Sequence, residues 1–351
     1  MKPVIVIPMG DPNGIGPEII LKALLTGEAF KDASPLVTGN ADILDLHNRQ
    51  MGIGANIRCV SGPEQADWRA GVVNIIHVET PGTEKLKIGT VQAKAGQCAF
   101  DYIKAACRLA IDGKAAAVAT TPINKESLRA AGVNYIGHTE IFASLTGIDD
   151  PLTMFEVRNL RVFFLSRHVS LSESISLVTK QRVMDYIKRC WTALHCLGIR
   201  DGTMAVAGLN PHCGEHGLFG YQEVNELEPA VRQAQAEGYS VTGPVGADSV
   251  FAQALAGRYN SVLSLYHDQG HIATKTLDFE RTIALTVGMP FLRTSVDHGT
   301  ALDIAGKNIA SEVSMLEAIC LAAKYAAAYN ASAALPRTNG LYANAEDTIR
   351  S

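Results

Sequence analysis

Three short apolar segments of this sequence are each followed by a histidine within a few positions. The segments are the runs 161–165, 203–209 and 262–266, followed by His168, His212 and His267 respectively. Apolar runs of this length with β-branched residues are typical of buried strands. In open α/β sheets, ligands bind at the carboxyl ends of the strands. We therefore expect three parallel strands whose histidines converge at one edge of a sheet.

The chemistry of imidazole favours a metal site at that edge. Histidine is the commonest side-chain ligand of divalent metals, and three protein ligands with an open position describe a catalytic site. A single histidine after a strand is more often a loop residue or a hydrogen-bond partner. Three in the same context favour metal binding, and the other seven histidines do not share the pattern. Cys213 lies beside His212 and offers a thiolate, although a bystander role is favoured for it.

Composition excludes several classes of protein. The 351 residues suffice for two domains or one elaborate α/β domain, and 47% hydrophobic with 19% charged residues is a globular composition. A net charge of −4 without a basic stripe argues against nucleic acid as a partner. No apolar run approaches the roughly 18 residues of a membrane span, and the N-terminal one is short for a secretory signal. Seven cysteines without a Cys-x-x-Cys pair indicate reduced thiols and a cytoplasmic location.

Strand-like and helix-like segments alternate along the whole chain, which predicts a doubly wound α/β architecture. The first predicted strand, 3–9, leads into a glycine-rich turn at 10–18, where Pro17 and Glu18 are suited to begin a helix. The turn lacks the Gly-Lys-Ser/Thr ending of a phosphate-binding loop and the glycine spacing of a dinucleotide fingerprint. Two interpretations stay open: backbone amides that face an anion, or a tight strand-to-helix turn.

Three further polar positions each have two interpretations. His138 and Thr139 stand at a predicted helix start, where they can bind an anion or Thr139 can simply cap the helix. Asp248 precedes another helix, as its cap or as a carboxylate that faces a ligand.

The segment 330–351 mixes Ala, Pro, Asn and Gly without a period and is predicted to form a loose tail.

Five motifs in order along the chain resemble those of the 4-hydroxythreonine-4-phosphate dehydrogenase family. They occupy residues 9–18 (Met-Gly-Asp-Pro-Asn-Gly-Ile-Gly-Pro-Glu), 137–140 (Gly-His-Thr-Glu), 210–212 (Asn-Pro-His), 266–270 (Tyr-His-Asp-Gln-Gly) and 293–301 (Arg-Thr-Ser-Val-Asp-His-Gly-Thr-Ala). Together they span the chain to about residue 330, and five long motifs are far more specific than any one glycine pattern. The block 298–309 also resembles the cofactor loop of isocitrate and isopropylmalate dehydrogenases.

The resemblance implies a two-domain α/β/α fold like that of isocitrate and isopropylmalate dehydrogenases, with an interdomain cleft. A cofactor-side domain would comprise 1–130 plus 280–351, and a metal and dimerisation domain would comprise 131–279. It also implies a homodimer in which the active site is shared between subunits.

The resemblance further assigns roles to residues at matching positions. His168, His212 and His267 would hold one divalent metal, zinc or alternatively magnesium, manganese or cobalt. Substrate would be bound by His138, Thr139, Lys275 and Arg293, with Asp248 facing the substrate and Lys275 and Asp248 as catalytic candidates. NAD or NADP would lie against His298, Gly299, Thr300 and Asp303.

The implied reaction is oxidation of the secondary alcohol of a 4-phosphorylated hydroxy acid, of the 4-phosphooxy-L-threonine type, with decarboxylation of the β-keto acid. One position departs from the family: Ala284 stands where the biosynthetic enzymes carry an asparagine that contacts substrate. Loss of this polar contact changes which substrate can form all of its hydrogen bonds in the site. The alternatives are D-threonate or D-erythronate 4-phosphate, or the cis-dihydrodiol of terephthalate. Outside this class, a metal-dependent hydrolase of a phosphorylated metabolite and a phosphate-ligand binding or acyltransfer protein remain open.

Overall fold

The computed structural model describes residues 2–333, and the chain divides into two compact units. Unit 1 takes the chain up to Pro151 and again from Thr286 onward, and unit 2 is Leu152–Leu285. The expected division at 130/131 and 279/280 differs from these boundaries. Residues 330–333 of the predicted loose tail are helical, and the rest of that segment lies outside the described residues.

The secondary structure alternates between strands and helices. The strands are β1 (Val4–Pro8), β2 (Ser34–Gly39), β3 (Asn56–Cys59), β4 (Val72–His77), β5 (Ala117–Thr120), β6 (Leu152–Val157), β7 (Leu160–Phe164), β8 (Met204–Ala207), β9 (Val241–Val245), β10 (Ser261–Ser264), β11 (Ile283–Val287) and β12 (Leu292–Ser295). The α-helices are α1 (Gly16–Leu25), α2 (Ala41–Met51), α3 (Ala93–Ile111), α4 (Lys125–Ala130), α5 (His138–Thr146), α6 (Leu171–Ser176), α7 (Lys180–Cys196), α8 (Glu228–Ala236), α9 (Val250–Leu255), α10 (His267–Leu277) and α11 (Val313–Ala333). The mixed α/β class expected from the sequence is confirmed.

Unit 1 contains a parallel set of strands in the order β3-β4-β2-β1-β5-β12. Strands β5 and β12 are in register, with Thr120 opposite Ser295. The carboxyl ends of β1, β5 and β12 therefore open at one edge, as is usual for ligand sites in such sheets. The glycine-rich turn, the segment before α4 and the segment after β12 all begin there.

An apolar cluster in unit 1 explains why the first boundary lies at Pro151 rather than at 130. Helix α3 belongs to this core, because Ile103 and Ala106 are fully buried against Val6. Helix α5 contributes Ile141 and Phe142 to the same cluster. Since burying one such large side chain stabilises by about 1.5–3 kcal/mol, α5 is held in unit 1 together with its N-terminal residues.

Unit 2 has the strand order β6-β7-β10-β8-β9, in which only the β6–β7 pair is antiparallel. The three apolar runs that precede the candidate histidines are confirmed as β7, β8 and β10, and β10 pairs in parallel with both of the others. Strands β6 and β9 were not predicted. No helix within residues 2–333 is long and apolar enough to cross a membrane.

The histidine that follows β10 does not lie in a loop. His267 is the first residue of α10, with Tyr266 as its N-cap. The strand β10 ends at Ser264, and the backbone turns directly into the helix. The helix approaches β7 and β10 closely at Gly270. A Cβ at this position would lie 2.5 Å from the ring of Phe164 and 2.7 Å from the hydroxyl of Ser264, so glycine is needed there.

Candidate active site

Arg293 is a buried cation in unit 1, with 4% of its surface exposed. Its Nε and Nη2 donate to the hydroxyl of Thr120 at 3.2 and 3.0 Å, and its Nη1 donates to the hydroxyls of Thr286 at 3.1 Å and Thr139 at 3.4 Å. Burying a charged group is costly unless it is hydrogen-bonded, and the planar guanidinium has donors in several directions. The fork is therefore rigidly held, a geometry suited to binding phosphate or carboxylate.

His138, the first residue of α5, lies beside this cation. Its ring stacks on Phe142 at 6.5 Å, and the guanidinium of Arg293 lies 5.7 Å from the centre of that same phenyl ring. Burial and then the positive charge of Arg293 hold the pKa of His138 well below its usual value, so the imidazole is neutral. Its Nε2 is shielded from solvent and has no hydrogen-bond partner within residues 2–333. Such a nitrogen is poised to meet a polar group of a ligand.

The capping interpretation of Thr139 is wrong. The N-cap of α5 is Gly137, and no side chain caps this helix. The hydroxyl of Thr139 is bonded instead to Arg293. His138, Thr139 and Arg293, three of the four predicted substrate residues, thus lie together in unit 1.

The predicted cofactor residues follow β12, and Thr300 among them packs against the glycine-rich turn. The carbonyl of Thr300 accepts the N–H of Ile15 at 3.0 Å, and the amide of Asn124 donates to the Thr300 hydroxyl at 3.4 Å. A Cβ on Gly14 would lie 2.8 Å from the Cβ of Thr300. The tight-turn interpretation of 10–18 is thus supported, because the turn approaches the loop of Thr300 so closely that glycine is required at position 14.

The surroundings of this loop fit a dinucleotide. A Cβ built on Gly299 meets nothing within 4 Å, His298 beside it is half-buried, and Asp303 is exposed. In the adjoining turn, the buried Asp11 Oδ2 and Asn13 Oδ1 have no hydrogen-bond partner among the described residues. The space beside Gly299 and the two oxygen atoms without a hydrogen-bond partner suit a ligand that carries many hydroxyl and amide donors. NAD is such a ligand.

In unit 2, two of the three predicted metal ligands lie close together. The ring centres of His168 and His267 are 6.1 Å apart. The Nδ1 of His267 lies 2.6 Å from the Oδ1 of Asp268. A carboxylate on one ring nitrogen fixes the tautomer that leaves the other nitrogen free to bind a metal. The other ring nitrogen of His267 therefore suits a borderline cation such as zinc.

The third predicted ligand is set apart. His212 is exposed, follows β8 in the turn Pro211–Gly217, and its ring contacts Phe219 at 6.3 Å. Across residues 2–333, no group of three His, Cys, Asp or Glu side chains is arranged to hold a metal ion. The single chain thus brings His168 and His267 together but does not close a three-ligand group.

His271 is a site residue that the sequence did not predict. It is 8% exposed, and its ring lies 4.1 Å from that of His267, between Phe155 at 4.4 Å and Phe164 at 4.6 Å. Burial, followed by the charge of His267, lowers the pKa of His271 to about 3. His271 and His267 are four residues apart and therefore share one face of α10. The sequence did not reveal this pairing, because 267–277 was not predicted to be a helix.

Lys275 and Asp248 are the remaining candidates. Lys275 lies one further turn along α10 on the face of His267 and His271, with its Nζ 5.4 Å from the ring centre of Phe279. Asp248 is exposed and lines a cavity of about 530 Å³ in unit 2. The capping interpretation of Asp248 is wrong, because α9 has Ser249 as its N-cap.

Known proteins share this fold and these motifs. The family described as pyridoxal phosphate biosynthetic protein PdxA matches residues 31–322. A "Putative D-threonate 4-phosphate dehydrogenase" of Clostridium botulinum is 59% identical over 324 residues, covering 92% of this chain and 97% of that protein. One of the same name from Fusobacterium nucleatum is 56% identical over 326 residues, covering 93% and 98%.

A solved structure agrees with the sequence relatives. The crystal structure of 4-hydroxythreonine-4-phosphate dehydrogenase from Klebsiella pneumoniae has a TM-score of 0.86 and 40% identity, covering 93% of this chain and 98% of that one. Fold and relatives together define a dehydrogenase. The chain belongs to the pyridoxal phosphate biosynthetic protein PdxA family, which confirms the resemblance read from the five motifs.

Proposed function

We propose that this protein is an NAD-dependent dehydrogenase that oxidises the C3 hydroxyl of D-threonate 4-phosphate and releases carbon dioxide. The observation that carries the proposal is the buried Arg293, held by three threonine hydroxyls beside the neutral His138. A rigid guanidinium suits the phosphate or carboxylate of such a substrate. The choice of D-threonate 4-phosphate is supported by the 59% identity to a relative with that name.

The surroundings of Ala284 support a departure from 4-hydroxythreonine 4-phosphate. D-threonate 4-phosphate carries a hydroxyl on C2 where 4-hydroxythreonine 4-phosphate carries an amine. The family asparagine at this position is replaced by Ala284, which packs against an apolar cluster of unit 2 together with Phe251 and Leu277. An apolar methyl group offers no hydrogen bond to substrate, so the recognition of the C2 substituent must differ.

Oxidation of 4-hydroxythreonine 4-phosphate is the second candidate. It is favoured by the K. pneumoniae structure, with 40% identity and nearly complete coverage. D-erythronate 4-phosphate differs from D-threonate 4-phosphate only in configuration at a carbinol carbon and belongs in the same test.

The reaction requires a hydride acceptor, a base and charge stabilisation. The hydride of C3 passes to NAD and the hydroxyl proton to a base, which gives a β-keto acid. Cleavage of the C1–C2 bond then releases carbon dioxide, and C2 takes up a proton. We assign the proton transfers to Lys275 or Asp248, since an amine or a carboxylate can serve as general base.

We assign the cofactor and the metal to separate residue groups. NAD would lie against His298, Gly299, Thr300 and Asp303, where the Thr300–Ile15 bond orients the loop. His168, His212 and His267 would hold one divalent cation, zinc or alternatively magnesium, manganese or cobalt. When bound, the cation would lower the pKa of the substrate hydroxyl and stabilise the negative charge left by decarboxylation.

The three-ligand group is completed, in this proposal, by homodimer formation. Exposed apolar residues follow each ligand: Leu171 is 61% exposed after His168, Leu218 is 70% exposed after His212, and Ile272 is 64% exposed on the helix of His267. A subunit interface at these positions would bury this exposed apolar surface. We therefore infer an active site shared between two subunits, with no nucleic-acid or membrane partner.

The thiols support a cytoplasmic location. All seven cysteines are free in the structure. Unpaired cysteines are usual where the compartment keeps thiols reduced.

A substrate panel tests the proposal. Purified protein is supplied with D-threonate, D-erythronate and 4-hydroxythreonine 4-phosphates and the terephthalate dihydrodiol, with NAD or NADP and with or without chelator. We expect NADH and carbon dioxide in equal amounts from D-threonate 4-phosphate, highest kcat/KM for it, and none after chelation. Release of inorganic phosphate without NADH would instead identify a hydrolase.

A further inference from the structure

Glu223 is a fully buried carboxylate at the start of a π-helical turn, Glu223–Leu227. Its Oε1 accepts the backbone N–H groups of Leu209 at 2.8 Å and Asn210 at 2.7 Å, and its Oε2 accepts the Asn210 side-chain amide at 2.8 Å. Three donors thus compensate for the desolvation of one carboxylate. Because these donors lie just after β8, Glu223 fixes the chain at the point where that strand ends.

The segment that follows has an unusual backbone. Residues 212–216 all have positive φ, and four of them are not glycine: His212 at 53°, Cys213 at 54°, Glu215 at 38° and His216 at 58°. Left-handed backbone is unfavourable for residues with a Cβ and persists only where the surroundings enforce it. This left-handed turn therefore needs external support to keep His212 in place.

Glu223 lies directly against this turn. A Cβ on Gly214 would come within 2.9 Å of Glu223 Oε2 and within 2.8 Å of the carbonyl of Gly220. Asn210 is also held by the side chain of Gln222, whose Oε1 accepts from its amide at 2.8 Å. The turn is thus held at two points: at Asn210, which directly precedes it, and at Gly214, which packs against Glu223.

We propose that Glu223 is a positioning residue for the metal site: it holds the left-handed turn and thereby places His212. This inference rests on the proposed function only in taking His212 as a ligand. The π-helical turn that carries Glu223 agrees with such a role, because π-helical turns are frequent at functional sites. Asn210, which precedes Pro211, contributes both its backbone N–H and its side-chain amide to this carboxylate.

Cobalt binding tests the role independently of turnover. The metal-free full-length protein is titrated with Co²⁺, and the visible absorption of the bound ion gives its affinity and coordination. We expect Glu223→Ala to weaken binding about 10–100-fold, as the loss of groups that orient metal ligands does. Glu223→Gln, which keeps one oxygen for the two backbone N–H groups, should fall between this variant and the wild type.

A matched control separates positioning from general stability. Glu156 is another fully buried carboxylate of unit 2, paired with Arg161 at 3.3 Å. Glu156→Gln should lower the melting temperature yet leave cobalt affinity unchanged. In a double-mutant cycle, Glu223→Ala should cause no further loss in a His212→Ala background, because no ligand is left for it to place.

Two results would overturn the inference: wild-type cobalt affinity in both Glu223 variants, or a loss in the His212→Ala background as large as in the wild type. A His212→Ala variant that binds cobalt normally is a different failure, since it contradicts the metal assignment itself. Amide hydrogen exchange over 209–217 separates these cases. Glu223→Gln should speed exchange there, and unchanged exchange would show that Glu223 does not hold the turn.

Discussion

The guanidinium of Arg293 donates two hydrogen bonds to the hydroxyl of Thr120, from Nε at 3.2 Å and from Nη2 at 3.0 Å. Both residues belong to strands, and β5 and β12 pair in parallel. The same hydroxyl donates to the carbonyl of Thr294 at 3.2 Å. The cation is therefore fixed by the sheet rather than by a loop, which is a favourable basis for precise ligand binding.

Arg293→Lys tests this arrangement. Lysine keeps the charge but cannot donate in several directions from one planar group. Loss of charge-assisted bonds worth about 1.5–3 kcal/mol should lower kcat/KM for the phosphorylated substrate roughly 10–100-fold. The control is Arg161→Lys, a largely buried arginine of unit 2, for which kcat/KM should stay near the wild-type value. Equal steady-state kinetics for the two variants would contradict the role of Arg293.

Asp268→Ala tests the tautomer of His267. Without the carboxylate 2.6 Å from Nδ1, the imidazole is no longer held with its other nitrogen free. We expect metal affinity to fall about 10–100-fold in a cobalt titration. Asp201→Ala, a change at another exposed aspartate of unit 2, should leave the affinity unaltered. An unchanged affinity for Asp268→Ala would mean that its contact with His267 is unrelated to metal binding.

Two glycine variants test the cofactor loop. Gly299→Ala places a methyl group in open space, so the melting temperature should stay constant while KM for NAD rises. Gly14→Ala forces a Cβ to within 2.8 Å of Thr300 and should lower the melting temperature as well. Both are measured by thermal unfolding and by NAD-dependent kinetics. If Gly299→Ala leaves KM for NAD unchanged, NAD does not lie against this residue.

The pH dependence of stability tests the neutral state of His138. Its pKa is lowered in the folded protein by burial and by Arg293, so below about pH 6.5 the unfolded chain binds a proton that the folded chain does not. The free energy of unfolding should therefore fall as the pH is lowered, by up to about 1.4 kcal/mol per pH unit from this group. His138→Phe, which preserves the stack on Phe142, should show a shallower decline in denaturant unfolding. Parallel pH curves would show that His138 titrates normally.

The strands leading to the candidate site were predictable because apolar patterning is a local property of the sequence. The runs 161–165, 203–209 and 262–266 became β7, β8 and β10. Strand β9 escaped prediction because its Gly243 and Pro244 are typical of turns. They are tolerated at the end of the strand order, where β9 pairs with β8 and with no other strand of residues 2–333.

The motifs located most candidate residues through family resemblance, and the metal, substrate and cofactor roles remain predictions. The sequence does not say that Arg293 is buried, or that its partners come from positions 120, 139 and 286. Those contacts join residues up to 173 positions apart, and the pKa of His138 depends on them. No local pattern carries that information.

The sequence by itself determined the α/β class, the strands beneath the candidate site and the family, because these depend on short-range periodicity and on residue identity. Only the tertiary structure decided that His267 begins a helix, that His271 packs against it, and that Glu223 supports the turn of His212. The physical reason is that burial and hydrogen bonding of polar groups are settled by neighbours distant in the chain. Their cost or gain exists only once the units have folded.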